Sequence, residues 1–221
     1  MNKQPSLIKG LLFDLDGTLA NTLPLCIQAF RQAVEPLANR AFTDSEIIAT
    51  FGPSEEGTIQ SLIPAYYQQG ITDYHTHYKQ LHAQCPTPFE GIPELLNDVR
   101  HLGIRVGLVT GKGPHSTTIS LDYFGLHHFF EFIETGWIHG PRKVAGIQSI
   151  LTQWADLPID QIWYVGDAPS DILAAKEVGI PVVGAAWAIT ANPEELAALH
   201  PDQLFMTIRE FDAWVRKAVA S

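Results

Sequence analysis

Positive charge is scarce in this chain: 14 Lys and Arg stand against 24 Asp and Glu, a formal net charge of −10 over 221 residues. That balance excludes the extended cationic footprint needed to hold nucleic acid or an anionic membrane surface. It leaves room for a small phosphorylated ligand in a local pocket. Cysteine is thin as well, with Cys26 and Cys85 alone, which excludes a disulfide scaffold and suits a reduced compartment. No apolar run is long enough to span a bilayer. The apolar stretch of "MNKQPSLIKGLLFD" is too short for a signal peptide. The expectation is a soluble, cytoplasmic protein.

Several catalytic signatures are missing too. "VTGKG" lacks the upstream glycine and the following Ser/Thr of a phosphate-binding P-loop, and neither G-x-G-x-x-G nor G-x-S-x-G occurs. "HTHYKQLH" (75–82) is rich in histidine, but no acidic or cysteine partner stands at zinc-ligand spacing. Its histidines read as the solvated face of a helix.

What is present begins with "GLLFDLDGTLANT", where an apolar run ends in Asp14 and Asp16. Side chains two apart in a strand share a side, so both acids are expected to face one pocket. Like charges so placed call for a cation, a shared proton or a substrate charge. The plainer alternative is a turn aspartate beside a helix-capping one. With 46% hydrophobic residues, the chain can build a real core.

From about residue 90, short apolar β-rich runs alternate with helical patterns: 104–110, 129–135, 161–166, 181–186 and 203–206. Pro93 and Gly103, Pro169 and Gly179, and Asn192-Pro193 with Glu195 bracket helices between them. This is an α/β pattern with a mostly parallel sheet. In the last helix, Phe211, Trp214, Val215 and Ala218 form a core-packing face. Residues 20–88 show no convincing strand and are expected to form a helical insert after the first strand, dividing the core into 1–19 and 89–221. Thr43 and Glu46 in that insert form a capping box, and "FGPSEEG" reads as a loop whose Gly52 and Pro53 turn the chain.

Open α/β sheets gather ligands at the carboxyl ends of their strands. Thr110 and Gly111 stand at one such end and offer a hydroxyl and backbone N–H groups to phosphate oxygens, although a plain strand-end threonine would look the same. Asp167 ends another strand, and Asp171 falls in the first turn of the following helix, where a capping aspartate is also at home. Lys143 precedes a helix and could balance carboxylates or a phosphate, or simply be solvated; Lys112 and Arg142 read as solvated.

Taken in order, "FDLDGTLANT", "VTGK", Lys143 and "VGDAPSDILAAKEVGI" resemble the haloacid dehalogenase superfamily, and within it the phosphoglycolate phosphatase-like branch. The resemblance implies a Rossmann-like parallel-sheet core with an inserted helical cap. It implies a Mg²⁺-dependent phosphatase acting on a small phosphomonoester, phosphoglycolate-like or a sugar phosphate. Asp14 would be the nucleophile that forms an aspartyl-phosphate, and Asp16 the acid and base, an aspartate there favouring phosphoryl transfer over carbon–halogen chemistry. Asp14, the backbone carbonyl of Asp16, and Asp167 would hold Mg²⁺, with Asp171 orienting the metal's surroundings. Lys143 would neutralise charge, and Thr110 and Gly111 would hold the phosphoryl group. The cap loop, through Gly52 and Ser54, would meet the substrate's tail, with Glu55 and Glu56 repelling a carboxylate tail if they point inward. The expected partner is a small phosphorylated metabolite, and the protein a monomer or homodimer. The rivals are a phosphomutase or pyrophosphatase of the same superfamily and, from another class, a regulatory or binding homologue with little turnover.

Overall fold

The run that ends in the two aspartates is a four-residue strand, β1 (Gly10–Phe13), buried along its whole length. In the computed structural model, which describes residues 7–219, it lies inside a six-stranded sheet. The first six residues, part of the stretch weighed as a signal peptide, lie outside the described residues. The other strands are β2 (Arg105–Val109), β3 (Phe132–Glu134), β4 (Ile162–Gly166), β5 (Val182–Ala185) and β6 (Gln203–Phe205). Their order is β3-β2-β1-β4-β5-β6, with every pair parallel. Each strand falls within an expected apolar run, and the α/β class is as the alternating pattern implied. β3 is shorter than its run because 127–129 form a single 3₁₀ turn.

Helices α1 (Leu23–Ala38), α2 (Asp44–Ile48), α3 (Glu55–Leu62) and α4 (Tyr67–Leu81) come between β1 and β2, followed by α5 (Ile92–His101). The first four share an apolar cluster of their own that includes Phe30, Val34, Ile59 and Tyr74. The capping box forms, with Thr43 accepting the Glu46 N–H and Glu46 accepting the Thr43 N–H. "FGPSEEG" is only partly a loop, because α3 begins at Glu55. Ser54 is extended at its cap position, and two glutamates in the first turn suit the positive end of the helix dipole.

The remaining helices are α6 (Pro114–Phe124), α7 (Lys143–Gln153), α8 (Pro169–Val178), α9 (Pro193–Ala198) and α10 (Ile208–Val219). Alternation along β1 divides the core: Leu11 and Phe13 join Leu96, Leu121 and Phe211 on one face, while Leu12 joins Ile147, Trp154 and Ile172 on the other. Phe211, Val215 and Ala218 are buried as expected, with Trp214 packed against them. Among the described residues no helix is long and apolar enough to cross a membrane.

Two features of this frame prepare the site. β1 is flanked by β2 and β4, and Phe13 is level with both Leu108 and Val165, so the chain leaves the sheet in opposite directions around one crevice. The segment that holds α1 to α4 also leaves and returns at neighbouring points of the chain, since the Phe89 N–H bonds the Leu19 carbonyl at 3.0 Å.

Trp154 fills the second face of the core: it is fully buried, and a Cβ on Gly10 would lie 2.9 Å from its ring. Trp154→Ala is expected to cost about 3–5 kcal/mol in urea unfolding, whereas Ile189→Ser should change stability by less than about 0.5 kcal/mol. Ile189 is 92% exposed, so the pair separates packing loss from a general sensitivity to substitution.

Candidate active site

Asp14 follows β1 directly, and its N–H bonds the Val165 carbonyl at 2.9 Å, fixing it beside the end of β4. The chain then turns sharply through Gly17, at φ +79°, where a Cβ would fall 2.1 Å from the Asp167 carboxylate; only glycine lets the turn come so close. The same turn brings the Thr18 hydroxyl to Asp167 at 2.8 Å, and Trp187 secures it from behind by donating to the Thr18 carbonyl at 2.9 Å. Asp14, Asp16, Thr110, Gly111, Lys143 and Asp167 all line one cavity of about 600 Å³. Both aspartates of the first motif thus face it, although with different partners.

Lys143, the first residue of α7, places its ammonium 2.9 Å from Asp14 Oδ2 and against Asp171 Oδ1. A cation at a helix N-terminus is disfavoured by the dipole, and these two carboxylates offset that. Burial alone would lower its proton affinity; Asp14 and Asp171 outweigh burial and raise it, so Lys143 stays protonated. Arg142 lines the same cavity but turns its guanidinium to Glu134 at 2.8 Å and the Thr135 carbonyl at 3.2 Å. It is not the solvated cation expected from sequence. Asp171 is fully buried behind the cavity, accepting from Tyr164 and the Ala168 N–H, each at 2.9 Å, in addition to Lys143.

Asp14, Asp167 and Asp171 bring carboxylate oxygens within 4.8 Å of one another. Burial, with Asp171 and Asp16, pushes Asp14 up to about 6 against the pull of Lys143. Burial, Asp14 and Asp171 push Asp167 up to about 8, opposed by the Thr18 hydrogen bond. One ammonium does not balance three acids, and Asp14 Oδ1 is buried with no protein partner. A surplus of carboxylate oxygen with no sulfur or imidazole donor fits a hard divalent cation of the Mg²⁺ class. The Asp16 side chain stands apart from this group: Oδ1 accepts from the Thr22 hydroxyl at 2.5 Å and lies 3.3 Å from the Lys112 ammonium.

At the end of β2, Thr110 is buried, and its oxygen accepts the Lys112 N–H at 3.2 Å, leaving its hydroxyl hydrogen for another acceptor. Gly136 packs across this loop, where a Cβ would lie 2.0 Å from the Gly111 carbonyl oxygen.

Three expectations need correcting on the insert side. Gly52 and Pro53 line the cavity, but Ser54 does not: it is buried, its hydroxyl donates to Glu56 at 2.5 Å, and its N–H donates to the Trp137 carbonyl at 2.9 Å. Both polar groups are committed to the fold. Lys112 is not solvated either. Its side chain is 1% exposed, reaching Cys26 at 3.0 Å and Glu55 at 3.5 Å and standing 4.4 Å from the centre of the Tyr78 ring. His82, read as part of a solvated face, is fully buried and pairs with the Ser120 hydroxyl at 3.1 Å, because α4 packs against α6 there.

Thr18, Thr22, Tyr164, Gly136 and the Lys112–Glu55 pair were missed as site residues. Tyr164 alone left a usable signal: a phenol in a buried strand needs a polar partner.

In the metal-free protein, the native state keeps protons on Asp14 and Asp167 that the unfolded chain, with carboxyls near about 3.9, has already released. Stability should therefore fall as pH rises from about 4 through about 8, and Asp167→Asn should lose much of that dependence. Urea unfolding of both proteins in EDTA at about pH 5 and about pH 8 checks it. The wild type is expected to lose more stability than the variant, and parallel losses would mean that Asp167 ionises freely.

Comparison with known proteins covers nearly all of this architecture. Residues 11–185 match the family model for haloacid dehalogenase-like hydrolases. Pyrophosphatase PpaX of Bacillus pumilus is 30% identical over 199 residues, covering 89% of this chain and 91% of its own. A haloacid dehalogenase-like family hydrolase of Streptococcus pneumoniae superposes with a TM-score of 0.74 at 25% identity, over 94% of this chain and 98% of that one. CbbY of Rhodobacter sphaeroides, solved with phosphate, shares the fold at a TM-score of 0.78 and 20% identity, over 93% and 96% of the two chains. With the family match running from the middle of β1 to the end of β5, the chain belongs to the haloacid dehalogenase-like hydrolases.

Proposed function

We propose that this hydrolase is a Mg²⁺-dependent phosphatase that cleaves small phosphomonoesters through an aspartyl-phosphate on Asp14. The observation that carries the reading is the Lys143 ammonium shared between Asp14 and Asp171, beside the unpartnered Asp14 Oδ1. An acid so held keeps one oxygen oriented and leaves the other with no protein partner.

The residues divide the chemistry as follows. An Asp14 carboxylate oxygen forms the bond to phosphorus as the bond from phosphorus to the leaving oxygen breaks, and Asp16 delivers a proton to that oxygen. Asp16, now ionised, takes a proton from water as the water oxygen attacks phosphorus, which frees Asp14 and inorganic phosphate. The Thr110 hydroxyl and the Gly111 N–H hold the phosphoryl oxygens, and Lys143 balances the charge that collects on them. Asp171, with Tyr164 behind it, keeps Lys143 in place. Mg²⁺, held by Asp14, the Asp16 carbonyl and Asp167, would supply charge neutralisation at the transferring group. The insert, residues 20–88, acts as a cap on the core formed by 1–19 and 89–221. With a net charge of −10, the partner is a small metabolite rather than nucleic acid or a membrane, in a protein working in the cytoplasm as a monomer or homodimer. A second reading, pyrophosphate hydrolysis, is favoured by the 30% identity to PpaX.

Steady phosphate release from p-nitrophenyl phosphate with Mg²⁺, stopped by EDTA, is the expected result. A phosphomutase would need a bisphosphate activator, and a regulatory homologue would release none. Asp14→Asn should abolish turnover, and Lys143→Ala should lower kcat by about 10²-fold or more. Arg142→Ala should be nearly neutral, its guanidinium being held by Glu134; a larger loss at Arg142 than at Lys143 would overturn the assignment.

A further inference from the structure

Three cations line the cavity among the described residues, Lys112, Arg142 and Lys143, and each is already paired. Lys143 lies against Asp14 and Asp171, Arg142 against Glu134, and Lys112 between Asp16 and Glu55. Given the roles proposed above, the leaving group departs past Asp16, toward the wall that Lys112 shares with α3.

That wall is built with care. Glu55 comes from the insert, is 6% exposed on its side chain, and reaches into the core. Its Oε2 accepts the Gly113 N–H and its Oε1 accepts the Ser116 hydroxyl, both at 2.5 Å, with Tyr74 at 3.4 Å and Lys112 at 3.5 Å. A buried carboxylate with this many donors is held, and it cannot swing away from Lys112 without leaving them unpaired. Even when Asp16 carries the proton it must donate, Glu55 alone neutralises Lys112. Cys26 beside them remains a neutral thiol, since burial pushes it up to about 12. The rest of the wall is apolar, with Leu23, Phe30 and Phe51.

We propose that the site takes phosphate monoesters whose leaving group is uncharged, and that Glu55 sets this selectivity by cancelling the charge of Lys112. A carboxylate or a second phosphate on the leaving group finds no net positive charge on this wall, while a hydroxyl or alkyl group loses nothing there. The inference rests on the phosphatase reading and narrows it: anionic esters such as phosphoglycolate, and pyrophosphate, become poor substrates.

Three two-carbon esters of matched size isolate tail charge: phosphoglycolate, 2-hydroxyethyl phosphate and 2-aminoethyl phosphate. In the wild type, kcat/KM for the uncharged hydroxyethyl phosphate should exceed that for phosphoglycolate by at least about tenfold, and that for the cationic aminoethyl phosphate as well. Glu55→Gln keeps an acceptor for Gly113 but releases Lys112. It should raise the phosphoglycolate-to-hydroxyethyl phosphate ratio about tenfold, and adding Lys112→Met should remove that gain. A wild-type preference for phosphoglycolate or pyrophosphate overturns the inference and leaves the hydrolase reading standing, and this arm needs no variant to fold. A ratio unmoved by Glu55→Gln assigns Glu55 to the contact between insert and core alone and also overturns it. Thermal protection of Asp14→Asn by the same esters reads the ranking without turnover. That ranking with no hydrolysis by the wild type would fail the phosphatase reading alone.

Discussion

Three acids and one ammonium share the crevice at the end of β1, and much of the site follows from that imbalance. Asp14, Asp167 and Asp171 bring carboxylate oxygens within 4.8 Å of one another, and Lys143 pairs with Asp14 and Asp171. Desolvated like charges at such range raise one another's proton affinity unless compensated. The protein meets this with fixed donors: Thr18 on Asp167, Tyr164 and the Ala168 N–H on Asp171, Lys143 on Asp14 and Asp171. The charge that remains uncompensated suits a divalent cation, the reading on which the proposed chemistry rests.

This crowding is possible because the backbone steps aside. Gly17 allows the turn after β1 to approach Asp167, and Gly166, where a Cβ would lie 2.3 Å from the Asp171 carboxyl carbon, allows α8 to press its first turn against β4. The register of β1 with β2 and β4 then sets Asp14 one residue short of Thr110 and Asp167, at the same end of the sheet. Sheet order, two glycines and a lysine at the start of α7 bring together groups that are 157 positions apart at the extremes, Asp14 and Asp171.

How far the sequence could be read depended on whether a residue's surroundings are local. Asp14 and Asp167 were legible because each ends an apolar strand, and strand ends are where an open sheet gathers chemistry. The strands and the capped helix at Thr43 were legible for the same reason, since their signals lie within a few neighbours. Lys112 was misread because its partners, Asp16 and Glu55, come from β1's turn and from the insert, and nothing near position 112 announces burial. His82 failed in the same way, since a histidine on a helix looks solvated until it meets Ser120 of α6; Ser54, expected to meet a substrate's tail, instead gives its N–H to the distant Trp137 carbonyl and its hydroxyl to Glu56. Ion pairs across a docking face leave no periodicity to detect.

The paired crossings at Leu19 and Phe89 have a consequence for the history of such a molecule. Because the chain leaves the sheet and returns to it at one hydrogen-bonded point, the length of the segment between them does not by itself set the register of β1 with β2. The strand-end carboxylates and the helical segment beside them are thus separate stretches of chain, tied together by Thr22 on Asp16 and by Glu55 on Gly113 and Ser116. Grafting a different segment between those two positions would replace Thr22, Cys26 and Glu55 around Asp16 and Lys112, while Asp14, Asp167 and Asp171 would keep Lys143, Thr18 and Tyr164 as partners.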